Sequence, residues 1–307
     1  MTPIRIALVG LGKITIDEHI PAIRTSSAFV LSGGVSPRSR VEGLRTFPSL
    51  DELLVSEAVD AVAVNTPPQV RFDIARKALL AGKHVLLEKP PCATVAELSE
   101  LQRLAETACV TLYTGWHSQH APAVRPAASW LAGKRVRNIR MRWCENVRQW
   151  HPGQTWIWQA GGLGVFDPGI NALSILSAIL PDGLIIEWAS LQVPENCQTP
   201  IAADLRGRTG GDGLFEATLD FLQTGRQTWD IEILTNEGEL SMSMGGARLL
   251  IDNIEQDIGE SREYPSIYDH FARLIAEGHS EVDARPLTLT ADAFLIGERV
   301  PVEAFFE

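Results

Sequence analysis

No stretch of this sequence approaches the roughly 18 consecutive apolar residues that a membrane-spanning helix requires, and no apolar leader stands at its start. The opening Thr2-Pro3-Ile4-Arg5-Ile6-Ala7-Leu8-Val9 runs straight into a strand pattern, so a cytoplasmic, unprocessed protein is expected. Basic residues are in deficit: 27 Lys and Arg face 38 Asp and Glu, a formal net charge of -11. That balance argues against a nucleic-acid backbone or an anionic bilayer as partner, because either demands a basic face. Cysteine is scarce as well. Cys92, Cys109, Cys144 and Cys197 form no CxxC pair and have no histidine at zinc-ligand spacing, so they read as reduced filler, and no metal site is predicted. Internal repeats and low-complexity stretches are missing.

What is present is enough chain for two cores, since 307 residues exceed what one usually serves. The expected domains are 1–120 and 121–307. The first alternates β-type runs at 4–9, 29–35, 61–65, 84–87 and 110–113 with helical patterns around 17–24, 50–55, 70–81 and 95–108. Such alternation marks βαβ units and a doubly wound parallel sheet of the Rossmann kind. After a helical segment at 121–131 the chain turns strand-rich, at 136–147, 184–193, 201–206, 213–222, 228–235, 239–244 and 247–251. Short turns such as Asn236-Glu237-Gly238 predict an open, mainly antiparallel sheet flanked by helices at 167–180, 264–277 and 287–300. The last helix is expected to return to the first domain.

Gly10-Leu11-Gly12-Lys13-Ile14-Thr15 follows the first strand and opens a helix. Two glycines there permit a tight turn and bring backbone N–H groups close to a pyrophosphate. The third small residue of that fingerprint is replaced by Thr15. Acidic residues are absent from His19 to Val41, so the second strand ends without the carboxylate that would bind an adenosine 2′-hydroxyl. Ser36-Pro37-Arg38-Ser39-Arg40 stands there instead. A hydroxyl beside guanidinium groups suits a 2′-phosphate; the other reading is that the arginines merely solvate a loop. NADP is the expected cofactor, with NAD also accepted.

With Asn65-Thr66-Pro67-Pro68 after the third strand and Leu87-Glu88-Lys89-Pro90 after the fourth, the chain resembles the Gfo/Idh/MocA oxidoreductase family over essentially its whole length. The resemblance implies cofactor contacts from Gly10, Gly12, Lys13, Ile14, Ser36, Arg38, Asn65, Thr66, Pro67, Glu88 and Lys89, with Lys89 beside nicotinamide and substrate as a catalytic group. Trp116-His117-Ser118, Trp150-His151-Pro152-Gly153-Gln154, the run from Gly161 to Asn171 and Arg285-Pro286-Leu287 resemble the family's bacterial aldose 1-dehydrogenases, which act on L-arabinose and D-galactose. One departure matters. The wider family carries Asp-x-x-x-His in the long helix, whereas this chain has Asp167-Pro168-Gly169-Ile170-Asn171, as that branch does. Asparagine takes no proton at neutral pH, so acid–base work passes to Asp167, Lys89 or a water they hold.

The implied reaction is NAD(P)-dependent oxidation of the anomeric carbon of L-arabinose, D-galactose or D-fucose to the aldonolactone, without a metal. Lys89 would hydrogen-bond the anomeric oxygen, Asp167 act as base and Asn171 orient the hydroxyl. Which group takes the proton first is left open by the sequence, and Asp167 also fits a helix N-cap with Pro168 at the first helical position. The substrate-binding set implied is His117, Glu145, Trp150, His151, Asp167 and Asn171, while Trp156 and Trp158 fit either pocket or packing. A sheet face left bare by helices predicts a homodimer or larger homo-oligomer. Two other readings stand beside this one: a family dehydrogenase acting at another sugar, polyol or dihydrodiol position, and a non-catalytic NADP-binding sensor.

Overall fold

The computed structural model describes residues 2–56 and 58–306. They form two compact units, one comprising residues up to His117 together with Glu263–Ala284, the other Ser118–Arg262 with the residues from Arg285 on. The division falls between His117 and Ser118 rather than at 120, and the helix that rejoins the first unit is the penultimate one, not the last.

The first unit contains β1 (Ile4–Val9), α1 (Ile20–Thr25), β2 (Phe29–Val35), β3 (Thr46–Phe47), α2 (Leu50–Ser56), β4 (Ala61–Val64), α3 (Pro68–Leu80), β5 (His84–Glu88), α4 (Val95–Ala108) and β6 (Leu112–Gly115). The second contains α5 (Val124–Leu131), β7 (Val136–Cys144), α6 (Val147–Trp150), α7 (Phe166–Ile179), β8 (Leu184–Pro194), β9 (Ala202–Thr209), β10 (Leu214–Asp220), β11 (Thr228–Thr235), β12 (Gly238–Ser243), β13 (Arg248–Ile251) and β14 (Ile254–Glu255). There follow α8 (Glu263–Glu277), which belongs to the first unit, and α9 (Arg285–Ile296) and β15 (Glu298–Val302), which belong to the second.

All strands of the first sheet are parallel, in the order β3-β2-β1-β4-β5-β6. Ile6 to Val9 and Ala61 to Val64 are buried without alternation, as strands covered on both faces must be. Part of that cover comes from α8, whose Tyr264, Ile267, Tyr268, Phe271 and Leu274 join Ile20 and Ile23 of α1 in one buried cluster. Five such side chains contribute on the order of 10 kcal/mol of apolar burial. The strand order reverses between β1 and β4, and that crevice at the carboxyl ends is where sheets of this kind bind ligands.

The second sheet has nine strands in the order β14-β13-β12-β11-β7-β10-β9-β8-β15, antiparallel except for the parallel pairs β7–β10 and β8–β15. Its last strand corrects an expectation: the helix predicted to run to 300 stops at Ile296. A Cβ at Gly297 would lie 2.5 Å from the Ala293 carbonyl, and beyond it Arg299-Val300-Pro301-Val302 pairs along β8. Pro301 is tolerated because the strand is at the sheet edge.

Candidate functional site

In the first unit the turn after β1 is held by the residue that breaks the glycine fingerprint. Thr15, fully buried, donates its hydroxyl to the Gly10 carbonyl at 2.6 Å and accepts Asn65 Nδ2 at 3.0 Å. Gly10 has φ +95°, and a Cβ on it would lie 2.9 Å from Thr66 N. Gly12, in contrast, has open space where a Cβ would stand. The first glycine lets two chain segments touch; the second leaves room for a ligand. Asn65 Oδ1 and Thr66 Oγ1 are buried there without a hydrogen-bond partner. Next to them an apolar cavity of about 300 Å³ is lined by Val35, Pro37, Leu50, Thr66 and Ile74. Backbone donors, unpaired polar atoms and an apolar slot at the carboxyl ends of the strands fit a dinucleotide.

At the end of β2 the two arginines part company. Ser36 Oγ accepts the backbone N–H groups of Arg38 and Ser39 at 3.3 and 2.9 Å, and Arg40 Nη1 donates to the carbonyls of Ser36 and Ser39 at 3.0 and 2.9 Å. Arg40 therefore fastens the loop, while Arg38 is presented exposed at its tip. Lys13 and Ile14 are likewise exposed, Lys13 paired with Asp17.

Lys89 is half-buried between two buried neighbours, and groups the sequence left unassigned fix its loop. Arg71, 3% exposed, donates to the carbonyls of Thr66, Glu88 and Pro90, so one guanidinium ties the ends of β4 and β5 together around Lys89. It sits on the buried stripe of α3 with Pro68, Ala75, Ala78 and Leu79. A charge on an apolar stripe was the available signal. Glu88 belongs to the motif, yet its carboxylate is buried and faces inward, accepting Tyr264 Oη at 2.6 Å with His19 Nε2 at 3.6 Å. Burial alone would push this carboxyl up; the His19 imidazole, His117 and Lys89 outweigh it and hold its pKa at about 2. His19, given no role from sequence, also contacts Tyr268 Oη at 2.7 Å through Nδ1.

His117 Nδ1 lies 2.6 Å from Glu263 Oε2, and its ring stacks on Tyr264 at 5.5 Å. Burial works against its protonation, but the Glu263 hydrogen bond and the charges of Glu263 and Glu88 prevail and raise its pKa. Trp116 is core: 1% exposed, with Nε1 donating to the Asp283 carbonyl at 2.9 Å.

The second unit assembles a separate group. Asp167 lies inside α7, whose N-cap is Val165, so it is not the cap. Pro168 falls in the first turn, where a missing N–H costs nothing, and a Cβ on Gly169 would meet Leu219 of β10 at 2.8 Å. The Pro-Gly pair thus seats the helix on the sheet, with Asp167 and Asn171 one helical turn apart. His151 Nε2 is 2.8 Å from Glu145 Oε1, and Nδ1 faces Asp167 Oδ2 at 3.5 Å. Glu145 Oε2 accepts Trp229 Nε1 at 2.8 Å. Each Glu145 oxygen thus has a partner within the protein, and the residue is 2% exposed. Trp150 is 38% exposed and edge-on to Trp229 at 4.9 Å, whereas Trp158 packs between Phe221 and Phe305. Trp229 could not be found from sequence, because only the β7–β11 register places it beside Trp143 and Glu145.

Residues 4–116 match the family model described as an oxidoreductase family with an NAD-binding Rossmann fold. Galactose 1-dehydrogenase of Pseudomonas fluorescens is 46% identical over 310 residues, covering the whole of both chains. The chain belongs to the Gfo/Idh/MocA oxidoreductase family. As a member it is a dehydrogenase acting on a CH–OH group. The crystal structure of a D-galactose-1-dehydrogenase from Rhizobium etli has a TM-score of 0.95 and 47% identity, covering 100% of this chain and 99% of that one. A 3-ketoreductase from Actinomadura kijaniata, solved with NADP and TDP-benzene, has a TM-score of 0.84 at 18% identity over 98% of this chain and all of its own, a likeness of fold.

Proposed function

We propose that this Gfo/Idh/MocA dehydrogenase oxidises the anomeric carbon of D-galactose to the aldonolactone, taking L-arabinose and D-fucose as well, with NADP as preferred cofactor and NAD also accepted. The observation that carries this reading is the full-length likeness to galactose 1-dehydrogenases, 46% and 47% identical over both whole chains. The three sugars share ring configuration through the first four carbons, so one pocket serves them all unless it is closed at the hydroxymethyl end.

Bound oxidised nicotinamide supplies the hydride acceptor. Gly10, Gly12, Lys13 and Ile14 would hold the pyrophosphate, Asn65, Thr66 and Pro67 the nicotinamide side, and Ser36 with Arg38 the 2′-phosphate. Glu88 shapes the Lys89 loop from behind. Lys89 hydrogen-bonds the anomeric oxygen and stabilises negative charge as the proton leaves; Asp167 accepts that proton; Asn171 orients the hydroxyl. His117 and Trp150 contact the sugar, Trp150 by an apolar face suited to C–H surface.

The enzyme is proposed to work in the cytoplasm as a homodimer or larger oligomer. Support for association comes from the outward face of the second sheet, where Glu232, Arg140, Glu216 and Arg206 alternate in sign across adjacent strands and end at Trp188, over which Arg206 lies at 4.7 Å. Such a row complements a second copy.

A spectrophotometric assay of NADP and NAD reduction across aldoses, polyols and dihydrodiols tests the function. Reduction with D-galactose, L-arabinose and D-fucose is expected; activity confined to polyols or dihydrodiols, or none with any substrate, overturns it.

A further inference from the structure

With Asn171 in place of the family's helix histidine, the anomeric proton has a first acceptor in Asp167 but no evident destination. An imidazole nevertheless stands beside that carboxylate, brought from another segment. His151 lies with Nδ1 3.5 Å from Asp167 Oδ2 and Nε2 2.8 Å from Glu145 Oε1. Glu145 is anchored in turn by Trp229 Nε1 at 2.8 Å, and the His151 ring packs on Phe221 at 5.4 Å. Asp167 of α7 and Glu145, beyond β7, thus face His151 from two elements, and Phe221 supplies an uncharged wall.

We propose that His151 is the positioning residue that holds the proton Asp167 removes from the sugar, with Glu145 as the counter-charge that makes this favourable. The inference rests on the anomeric oxidation proposed above. In that step the O1–H bond breaks and its proton goes to the Asp167 carboxylate, the C1–H pair leaves as hydride to the oxidised nicotinamide, and C1–O1 becomes the lactone carbonyl. Asp167 then passes the proton to His151 Nδ1, which leaves an imidazolium between two carboxylates and returns Asp167 to its anionic form.

Two observations favour this direction. A neutral buried acid beside a neutral imidazole exchanges, on proton transfer, for an imidazolium between two anions, and opposite charges at this range favour the charged form. The exposures also rank suitably: side-chain values are 2% for Glu145, 5% for Asp167 and 13% for His151, so the imidazole is the member of the line from which a proton reaches water.

The test uses His151→Gly and Glu145→Gln in the full-length enzyme, assayed after the wild type is shown to oxidise D-galactose. His151→Gly is expected to lose about 100-fold in kcat with the galactose KM within about threefold, and added imidazole should restore kcat in a saturable way that follows the concentration of its neutral form. In Glu145→Gln, loss of the counter-anion weakens the imidazole as a base, so the acid limb of the kcat–pH profile should move about one pH unit lower. Unchanged kcat with KM raised tenfold or more identifies a hydroxyl ligand and overturns the proposal. So does a loss that imidazole does not restore. Should His151→Gly fail to fold, Glu145→Gln decides alone: an unmoved acid limb overturns the relay. A wild type inactive on every aldose fails the parent reading, and the relay with it.

Discussion

The nucleotide corner of the first unit and the acid–imidazole group of the second are assembled on different plans. In the corner, most residues lie in short segments after consecutive strands, and parallel pairing delivers them to one end of the sheet. In the second unit, Glu145, His151, Asp167 and Trp229 come from four segments that only the packing of α7 on a mixed sheet brings together. Local motifs thus report the first site, and long-range register reports the second. The supporting groups obey the same division in reverse: Arg71, His19 and Tyr264 hold the corner from outside its motifs.

If the corner owes its chemistry to one presented ammonium, Lys89→Ala should have the largest effect, lowering kcat/KM by about three orders of magnitude while NADP affinity stays within about threefold. Steady-state kinetics with a fluorescence titration checks this, and near-normal turnover would remove Lys89 from the mechanism. A smaller effect belongs to the support behind it. The Glu88 pKa is depressed from 4.5 to about 2, so its stabilisation is complete above the unfolded value and is lost as pH falls through the folded one. Urea unfolding between pH 6 and 2 should show a decline of up to about 3 kcal/mol from this group, absent in Glu88→Gln; parallel declines in both proteins would contradict the network. The smallest effect is at the loop tip, where Arg38→Ala should weaken NADP binding about tenfold and leave NAD binding unchanged. An unaltered ratio would reduce Arg38 to solvation.

The parallel sheet and the ligand-binding end of its strands were readable because buried parallel strands write themselves as apolar runs and because glycine and proline punctuate the loops. Thr15 looked like a defect in the fingerprint, since the bond its hydroxyl accepts from Asn65 exists only once β1 and β4 are neighbours. The strand at Glu298–Val302 was hidden because Leu287 to Val300 carries helical spacing, whereas the helix stops before Gly297, where a side chain would crowd Ala293 and Leu191. Glu145 and His151 read from the sequence as hydroxyl ligands; a sequence shows that an acid and an imidazole are near one another and not that each oxygen of the acid already has a partner within the protein.

The central claim is oxidation at the anomeric carbon, and D-galactose carrying deuterium at C1 tests it most directly. The enzyme should transfer that deuterium to the reduced nicotinamide, give the galactonolactone as product and show slower turnover than with unlabelled sugar or sugar labelled at C2. Reduced cofactor free of deuterium from C1, or deuterium arriving from another carbon, would contradict it.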